Sequence, residues 1–269
     1  MIDKKTSMHR CVSYRKKILD ISQNVTALHA AGSFSATEIV DCIYYGLMNN
    51  YKNQKEQDTF VMSKGHGCMI QYVILKEKGI LSEMDLENYC KPEGRLGCHP
   101  DYGVPGIEAS TGSLGHGLAI ATGMAYADKI KKIKRNVYVV LSDGELQEGS
   151  TWEAMMMAAN LELDNLICFL DHNGSQSFGH TKITHPKFYP ILDKVEAFGF
   201  ETDEANGHDV EEIYNLTINR KEKKPFLLVC NTIKGKGVSF MENKPIWHYR
   251  SPTPDEYITA LSELKEIEQ

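Results

Sequence analysis

Residues 137–174 read VYVVLSDGELQEGSTWEAMMMAANLELDNLICFLDHNG, and this stretch decides the fold. It contains two continuous apolar runs, at 137–141 and 166–170, and a third run follows at 226–230. Continuous apolar runs of this length are typical of strands that are buried on both faces. Because helical patterns lie between them, the sequence predicts an α/β fold with a mostly parallel sheet flanked by helices.

The composition is that of an ordinary globular protein of 269 residues. Lysine and arginine number 30, aspartate and glutamate number 36, and the formal charge is −6. With 42% hydrophobic and 25% charged residues, the chain is neither a disordered protein nor a fibre. Its mild acidity argues against a protein that binds nucleic acid through the phosphate backbone. No apolar run approaches the roughly 20 residues that cross a bilayer, and no secretory signal is visible.

The organisation of the chain is simple. No repeat or linker divides it, so residues 1–269 are expected to form one domain. Seven scattered cysteines, none of them in a CxxC pair, fit neither a disulfide framework nor a zinc site, and we expect a reducing, cytoplasmic setting. Apolar residues at helical spacing predict helices, which we place at 8–31, 36–49, 69–79 and 255–268.

Polar residues follow two of the predicted strands. Asp143-Gly144 comes after the first run, and Asn173 after the second. In a parallel sheet, ligands bind beyond the carboxyl ends of the strands. A carboxylate and an amide oxygen are ligands for a magnesium ion that holds a diphosphate, and a glycine lets phosphate oxygens approach the backbone. The alternative is that both dipeptides are common turns.

The wider context favours the first interpretation. Asp143 and Asn173 are 30 positions apart, and the spacing resembles the thiamine diphosphate motif of the transketolase family. Further stretches resemble that family in the same order along the chain: HAAGSFSA (29–36), SKGHG (63–67), GCHP (97–100), STGSLGHG (110–117) and TIKGKGV (232–238). Several separate motifs in one order are far more specific than one glycine-rich match.

This resemblance implies roles for individual residues. Asp143, Asn173 and the carbonyl of Ser175 would hold a divalent metal ion. The ion would be Mg²⁺, or Ca²⁺ or Mn²⁺ in its place. Histidines would face the substrate and move protons in the cleavage of a ketose, since imidazole can act as acid or base near neutrality; these are His29, His66, His99 and His248. Residues implied to bind thiamine diphosphate are His66, Gly112, Ser113, Leu114, Asp143, Gly144, Glu145, Asn173 and His248.

Structural roles are the alternative for several of these residues. His29 would then be the C-terminal cap of the first helix, and His99 an ordinary turn residue. His172 is expected to be structural, whereas His180 is close enough in sequence to Asn173 to line the same channel. Lys234-Gly-Lys-Gly lacks the spacing of a nucleotide-binding phosphate loop, so we predict no nucleotide site there.

The resemblance also implies a partner. In the family, the glutamate that activates the cofactor comes from a second, pyrimidine-binding domain, and residues 1–269 leave no room for it. We therefore expect a diphosphate-binding subunit that is active only with a pyrimidine-domain chain, in a complex of two copies of each chain. The implied reaction is the transfer of a two-carbon ketol unit from a ketose to an aldose or another sugar-derived acceptor.

Other functions remain open at this point. The cofactor motif also occurs in deoxyxylulose-phosphate-type synthases and in 2-oxo acid dehydrogenases, and a non-catalytic half that binds cofactor or partner is a further alternative. One departure from the family concerns the acceptor. Tyr249-Arg250 follows His248, where many relatives have a small glycine. The pair predicts a larger acceptor, such as a sugar nucleotide whose phosphates meet Arg250, unless both side chains turn outward.

Overall fold

A computed structural model describes residues 2–25, 28–49, 57–177, 179–221 and 223–268. Within these ranges the strands are β1 (Thr59–Met62), β2 (Val137–Ser142), β3 (Leu166–His172), β4 (Ser175–Gln176), β5 (Gly179–His180), β6 (Glu201–Asn206) and β7 (Phe226–Asn231). The α-helices are α1 (Lys4–Ser22), α2 (Ala30–Ser35), α3 (Thr37–Cys42), α4 (Met69–Glu77), α5 (Glu83–Glu87), α6 (Gly117–Lys131), α7 (Gly149–Asn160), α8 (Thr181–Thr184), α9 (Ile191–Ala197), α10 (Val210–Ile218) and α11 (Pro254–Ile267).

The main sheet has five parallel strands in the order β1-β2-β3-β7-β6, and β4 and β5 form a small antiparallel ladder beside it. Alternate side chains of the inner strands enter two different cores. Tyr138 and Phe169 belong to one core, whereas Val139 and Cys168 belong to the other. The inner strands are therefore buried on both faces, which explains their continuous apolar runs. The predicted fold class is confirmed.

Helices cover both faces of the sheet. The first core takes residues from α1, α3, α4, α10 and α11, and the second takes residues from α6, α7 and α9. The result is a three-layer arrangement in which every inner strand ends at one shared edge. None of the helices in the described ranges has both the length and the apolar character needed to cross a membrane.

The helix predicted over 8–31 ends earlier than expected. It stops at Ser22, and α2 begins separately at Ala30; positions 26 and 27 lie outside the described residues. The periodic apolar pattern runs on through weak helix formers, Asn24 and Val25, which do not continue the helix. His29 therefore precedes α2 and is not the C-terminal cap of the first helix.

The helix predicted over 36–49 is also shorter. Its α-helical part ends at Cys42 and passes into a π-helical turn over Ile43–Leu47. The helices predicted at 69–79 and 255–268 are present as α4 and α11, with ends that differ by one or two residues.

Strand β6 has no counterpart among the predictions. Its sequence, ETDEAN, is polar, and most of its side chains are partly or fully exposed. It lies at the edge of the sheet and pairs only with β7 among the described strands. An edge strand that faces water lacks the apolar run by which the inner strands are found.

Candidate active site

The carboxyl ends of the strands border a cavity of about 350 Å³. The loops after β1, β2, β3 and β7 contribute to its wall, together with the start of α2. Nine of the residues with a predicted catalytic, cofactor or metal role line it: His29, His66, His99, Gly112, Leu114, Gly144, Asn173, Ser175 and His248. The parallel topology thus brings together residues that are far apart in the chain.

Four histidines form a cluster in this cavity. The ring centroid of His29 lies 5.7 Å from that of His66, 6.1 Å from that of His99 and 5.2 Å from that of His248. The rings of His66 and His248 are 5.7 Å apart. Four imidazoles at this spacing can surround one small substrate and contact several of its hydroxyl groups at once.

Three of these imidazoles are neutral near pH 7. Burial lowers the pKa of His29 to about 4 and that of His248 to about 3, and it holds the pKa of His66 well below its ordinary value. Neighbouring positive groups act in the same direction; for His248 the largest such contribution is Lys234. A neutral imidazole has one nitrogen that donates and one that accepts. The cluster can therefore both give and take a hydrogen bond at the substrate.

Glycine is required where the cavity wall meets His99. Gly112 has a φ of +125°, and a Cβ there would lie 2.6 Å from the His99 ring. Tyr72 holds the other side of this loop, because its hydroxyl donates to the carbonyl of His99 at 2.9 Å. The Cys98 Sγ atom lies 3.2 Å from His99 Nδ1. The ring of His99 is thus fixed by packing and by its neighbours.

Asp143 lies just beneath the cavity and is fully buried. One of its carboxylate oxygens accepts from the backbone N–H of Gly174 at 2.7 Å, and the other pairs with Nδ1 of His172. Burial raises the pKa of Asp143, although the contact with His172 opposes the rise. His172, which the sequence indicates as only structural, therefore contacts a predicted metal ligand directly.

Asn173 is oriented by its neighbours. Its amide nitrogen donates to a carboxylate oxygen of Asp171 at 3.3 Å. Its amide oxygen accepts from the backbone N–H of Ser175 at 3.1 Å, and the residue belongs to the cavity wall. This oxygen, the Asp143 carboxylate and the Ser175 carbonyl are all hard donors, the type of ligand that Mg²⁺ uses together with phosphate oxygens.

Asp171 is itself part of a buried network. It pairs with Lys64 and accepts hydrogen bonds from Ser35 and Thr232. Lys64 also donates to the carbonyl of Gly32 at 2.8 Å. The network therefore connects the ends of β1, β3 and β7 with α2, directly under the cavity.

Lys234 is a site residue that the sequence does not reveal as such. Its side chain lines the cavity although the residue is only 2% exposed, and Nζ lies 2.6 Å from Nδ1 of His248. In the ranges that the structure covers, Lys234 has no carboxylate within ion-pair distance. Burial lowers its pKa to about 8. A buried cation without a carboxylate partner favours an anionic ligand.

Besides Asp143, two predicted cofactor contacts are not part of the cavity wall. Ser113 is exposed on the glycine-rich turn. Glu145 is fully buried, where it accepts from Ser63 and from the backbone N–H of Gly115. Other residues line the cavity without having been singled out for it in the sequence, and several of them follow Asp143 or Asn173 in the same loops: Gly32, Ser142, Gln147, Glu148, Gln176, Ser177 and Lys234.

Tyr249 and Arg250 have different surroundings in the structure. Tyr249 lines the cavity. Arg250 instead donates to both carboxylate oxygens of Glu256 at 2.7 Å, and its guanidinium carbon lies 4.4 Å from the ring centroid of Trp247. Arg250 is not among the residues that border the cavity, so the structure does not support its predicted contact with acceptor phosphates.

Comparison with known proteins agrees with this geometry. Residues 8–263 match the family described as transketolase, thiamine diphosphate binding domain. The chain is 40% identical to one of the subunits of the apulose-4-phosphate transketolase of Actinobacillus succinogenes, over 94% of this chain and 93% of that protein. It is 35% identical to the 6-deoxy-6-sulfo-D-fructose transketolase subunit SqwG of a Clostridium species, over 96% and 95% of the two chains.

A solved structure also resembles this chain along nearly its whole length. The transketolase of Campylobacter jejuni superposes with a TM-score of 0.92 at 29% identity, over 98% of this chain but only 43% of that chain. The chain is thus a thiamine diphosphate-binding α/β domain. It belongs to the transketolase family. It spans less than half the length of the solved transketolase.

Proposed function

We propose that this chain is the diphosphate-binding half of a two-chain, thiamine diphosphate- and magnesium-dependent transketolase. The enzyme would transfer a two-carbon ketol unit from a ketose to an aldose or another sugar-derived acceptor. The observation that carries the proposal is the convergence of four histidines with Asn173 and Ser175 on one cavity, beside the Gly174 N–H that Asp143 accepts from. This combination supports ketose chemistry, because a sugar presents several hydroxyl groups to the site.

The residues present fit the proposed metal and cofactor. Asp143, Asn173 and the Ser175 carbonyl would hold Mg²⁺, whose other ligands would include diphosphate oxygens. Gly144 lines the cavity and would leave its backbone open to the diphosphate, and His66 and Lys234 would contribute hydrogen bonds and charge. When bound, thiamine diphosphate supplies the carbon nucleophile and accepts the electron pair of the cleaved bond.

The histidines would manage the protons of the reaction. When the ketose C2–C3 bond breaks, the C3 hydroxyl loses its proton and becomes an aldehyde. When the new C–C bond forms, the aldehyde oxygen of the acceptor takes a proton. Imidazoles can accept the proton from the C3 hydroxyl and supply the proton to the acceptor's aldehyde oxygen. His248 would donate from Nε2, because the Lys234 ammonium occupies its Nδ1.

A second chain is part of the proposal. Relatives of nearly the same length are named as lettered subunits of transketolases, and the solved transketolase is more than twice as long as this chain. Both facts support a partner that supplies the pyrimidine side of the site, in a complex of two copies of each chain. The relatives' names include a sugar phosphate and a sulfo sugar, which supports a substrate with an anionic group.

The test uses the complex isolated from the native host through a tag on this chain. With thiamine diphosphate, Mg²⁺, β-hydroxypyruvate as ketol donor and glycolaldehyde as acceptor, we expect a four-carbon ketose to form. His29→Ala should reduce the rate at least about a hundredfold, the lower contribution of an acid–base group. His185→Ala, at an exposed position, is the matched control. Ketol transfer by the chain alone, or none by the complex, would refute the proposal.

A further inference from the structure

We propose that Tyr249 sets the upper size of the acceptor that reaches the histidine cluster. This inference rests on the proposed ketol transfer and names a specificity-determining residue within it. It reverses the expectation from the sequence that the Tyr249-Arg250 pair indicates a larger acceptor. Tyr249 lies where the cavity opens, and its backbone is held in place from both sides. Because the ring contacts both His29 and His248, an aldose bound at these imidazoles would lie beside it.

The position of the ring is defined by two imidazoles. The centroid of the Tyr249 ring lies 4.9 Å from that of His29 and 4.4 Å from that of His248. The ring planes meet at 66° and 89°, so the phenol stands on edge against both imidazoles. Tyr249 remains 55% exposed although it lines the cavity. The ring therefore stands at the opening, with one part against the histidines and the other in solvent.

The backbone on both sides of Tyr249 is anchored. Trp247 is 3% exposed and packs against Phe240 at a ring distance of 5.2 Å. Arg250 is held by Glu256 and by the Trp247 ring, as described above. The Ser251 hydroxyl donates to the carbonyl of Val25 at 2.7 Å. These contacts restrain the backbone on both sides of Tyr249.

The expected consequence is discrimination by length. A two-carbon aldehyde can reach the histidines without passing much of the ring, whereas the chain of a five-carbon aldose phosphate must lie beside it. In hydrophobic pockets, a single methylene group that fits or clashes changes discrimination by about ten- to two-hundredfold. Removing the ring should therefore raise kcat/KM for the longer acceptor relative to that for the short one.

The experiment compares acceptors in the assembled complex, with β-hydroxypyruvate as donor. For each variant, kcat/KM is measured with glycolaldehyde and with D-ribose 5-phosphate. Tyr249→Ala is expected to raise the ratio of the second value to the first about tenfold. Tyr249→Phe keeps the ring and should keep the wild-type ratio. Ile246→Ala is the matched control, because Ile246 lies in the short 3₁₀ helix Pro245–His248 just before Tyr249, is 67% exposed and does not line the cavity.

Each outcome has one meaning. An unchanged ratio in Tyr249→Ala overturns the inference, and so does an equal loss with both acceptors, which would make Tyr249 a general binding contact. Thermal unfolding and the Kd for thiamine diphosphate, measured on the same variants, identify a loss caused by damage to the fold or to the cofactor site. If the wild-type complex transfers no ketol unit to either acceptor, the proposed function fails instead.

Discussion

Lys64 and Asp171 form an ion pair in which neither side chain has any exposed surface. Lys64 follows β1 and Asp171 lies in β3, so the pair joins two strands separated by β2 in the sheet. Asp171 in turn orients the amide of Asn173. The ion pair therefore supports the position of a predicted metal ligand from below.

Lys64→Met is expected to destabilise the chain strongly. The substitution keeps most of the side-chain volume but leaves the Asp171 carboxylate buried without its cation, which costs about 3–5 kcal/mol in comparable cases. Urea unfolding of the isolated chain measures the change. In Lys64→Met/Asp171→Asn the buried charge is gone. Ser35 and Thr232 donate to different carboxylate oxygens of Asp171, so the new amide oxygen can accept from one hydroxyl while the amide nitrogen donates to the other. Part of the free energy of unfolding should therefore return. A double variant as unstable as Lys64→Met would contradict this account.

Glu145 should make the stability of the chain depend on pH. Burial raises its pKa from 4.5 to about 7 in the folded chain. Between these two pH values the unfolded chain releases this proton while the folded chain retains it, so the free energy of unfolding falls as pH rises. The full difference corresponds to on the order of 3 kcal/mol.

Glu145→Gln removes this proton and is nearly isosteric. We expect wild type to lose stability relative to the variant between about pH 4.5 and pH 7, with little further change above pH 7. Unfolding by urea at a series of pH values gives the difference directly, because contributions of all other groups cancel. A difference that stays constant across this window would show that Glu145 titrates normally in the folded chain.

His172 is predicted to strengthen the binding of metal and cofactor through Asp143. Outer contacts of this kind orient metal ligands, and their loss lowers metal affinity by about 10–100-fold. We expect this loss for His172→Ala, measured as the Mg²⁺ concentration that half-saturates activity of the complex. His172→Asn places an amide N–H near the lost Nδ1 and should recover part of the affinity. Equal Mg²⁺ affinities in wild type and His172→Ala would show that His172 does not contribute to metal binding.

Cys98 provides a chemical probe of His99. Its Sγ lies 3.2 Å from Nδ1 of His99, and the residue is exposed. Iodoacetamide converts the thiol to a thioether with release of iodide and a proton, and the added group would lie beside His99. We expect the complex to lose most of its activity, and Cys98→Ser to be resistant. Cys90→Ser, which removes the other exposed thiol, should remain as sensitive as wild type. Full activity after mass spectrometry shows modified Cys98 would contradict the prediction.

The inner strands and the place of the site could be predicted from the sequence. Strands buried on both faces require apolar runs, and a parallel sheet places Asp143 and Asn173 at one edge. The roles of the four histidines follow from the family resemblance. The structure brings the four rings together at one cavity.

Other features depend on contacts that the sequence does not display. Lys64 and Asp171 are 107 positions apart, and nothing in either segment indicates that they pair. Lys234 stands in a glycine-rich loop without a nucleotide-binding pattern, and its burial beside His248 is a property of the folded chain. Strand β6 shows no strand signal because an edge strand facing water needs no apolar run.

The topology also has a kinetic consequence. His29 and His248 come from opposite ends of the chain, yet their rings are 5.2 Å apart. Contacts between such distant positions form slowly, since a long loop must close before they gain any stabilisation. The cavity is therefore expected to be completed late in folding, after the strands between these residues have paired. A ligand that binds only the completed cavity would therefore stabilise the folded chain relative to every state in which the cavity is still unformed.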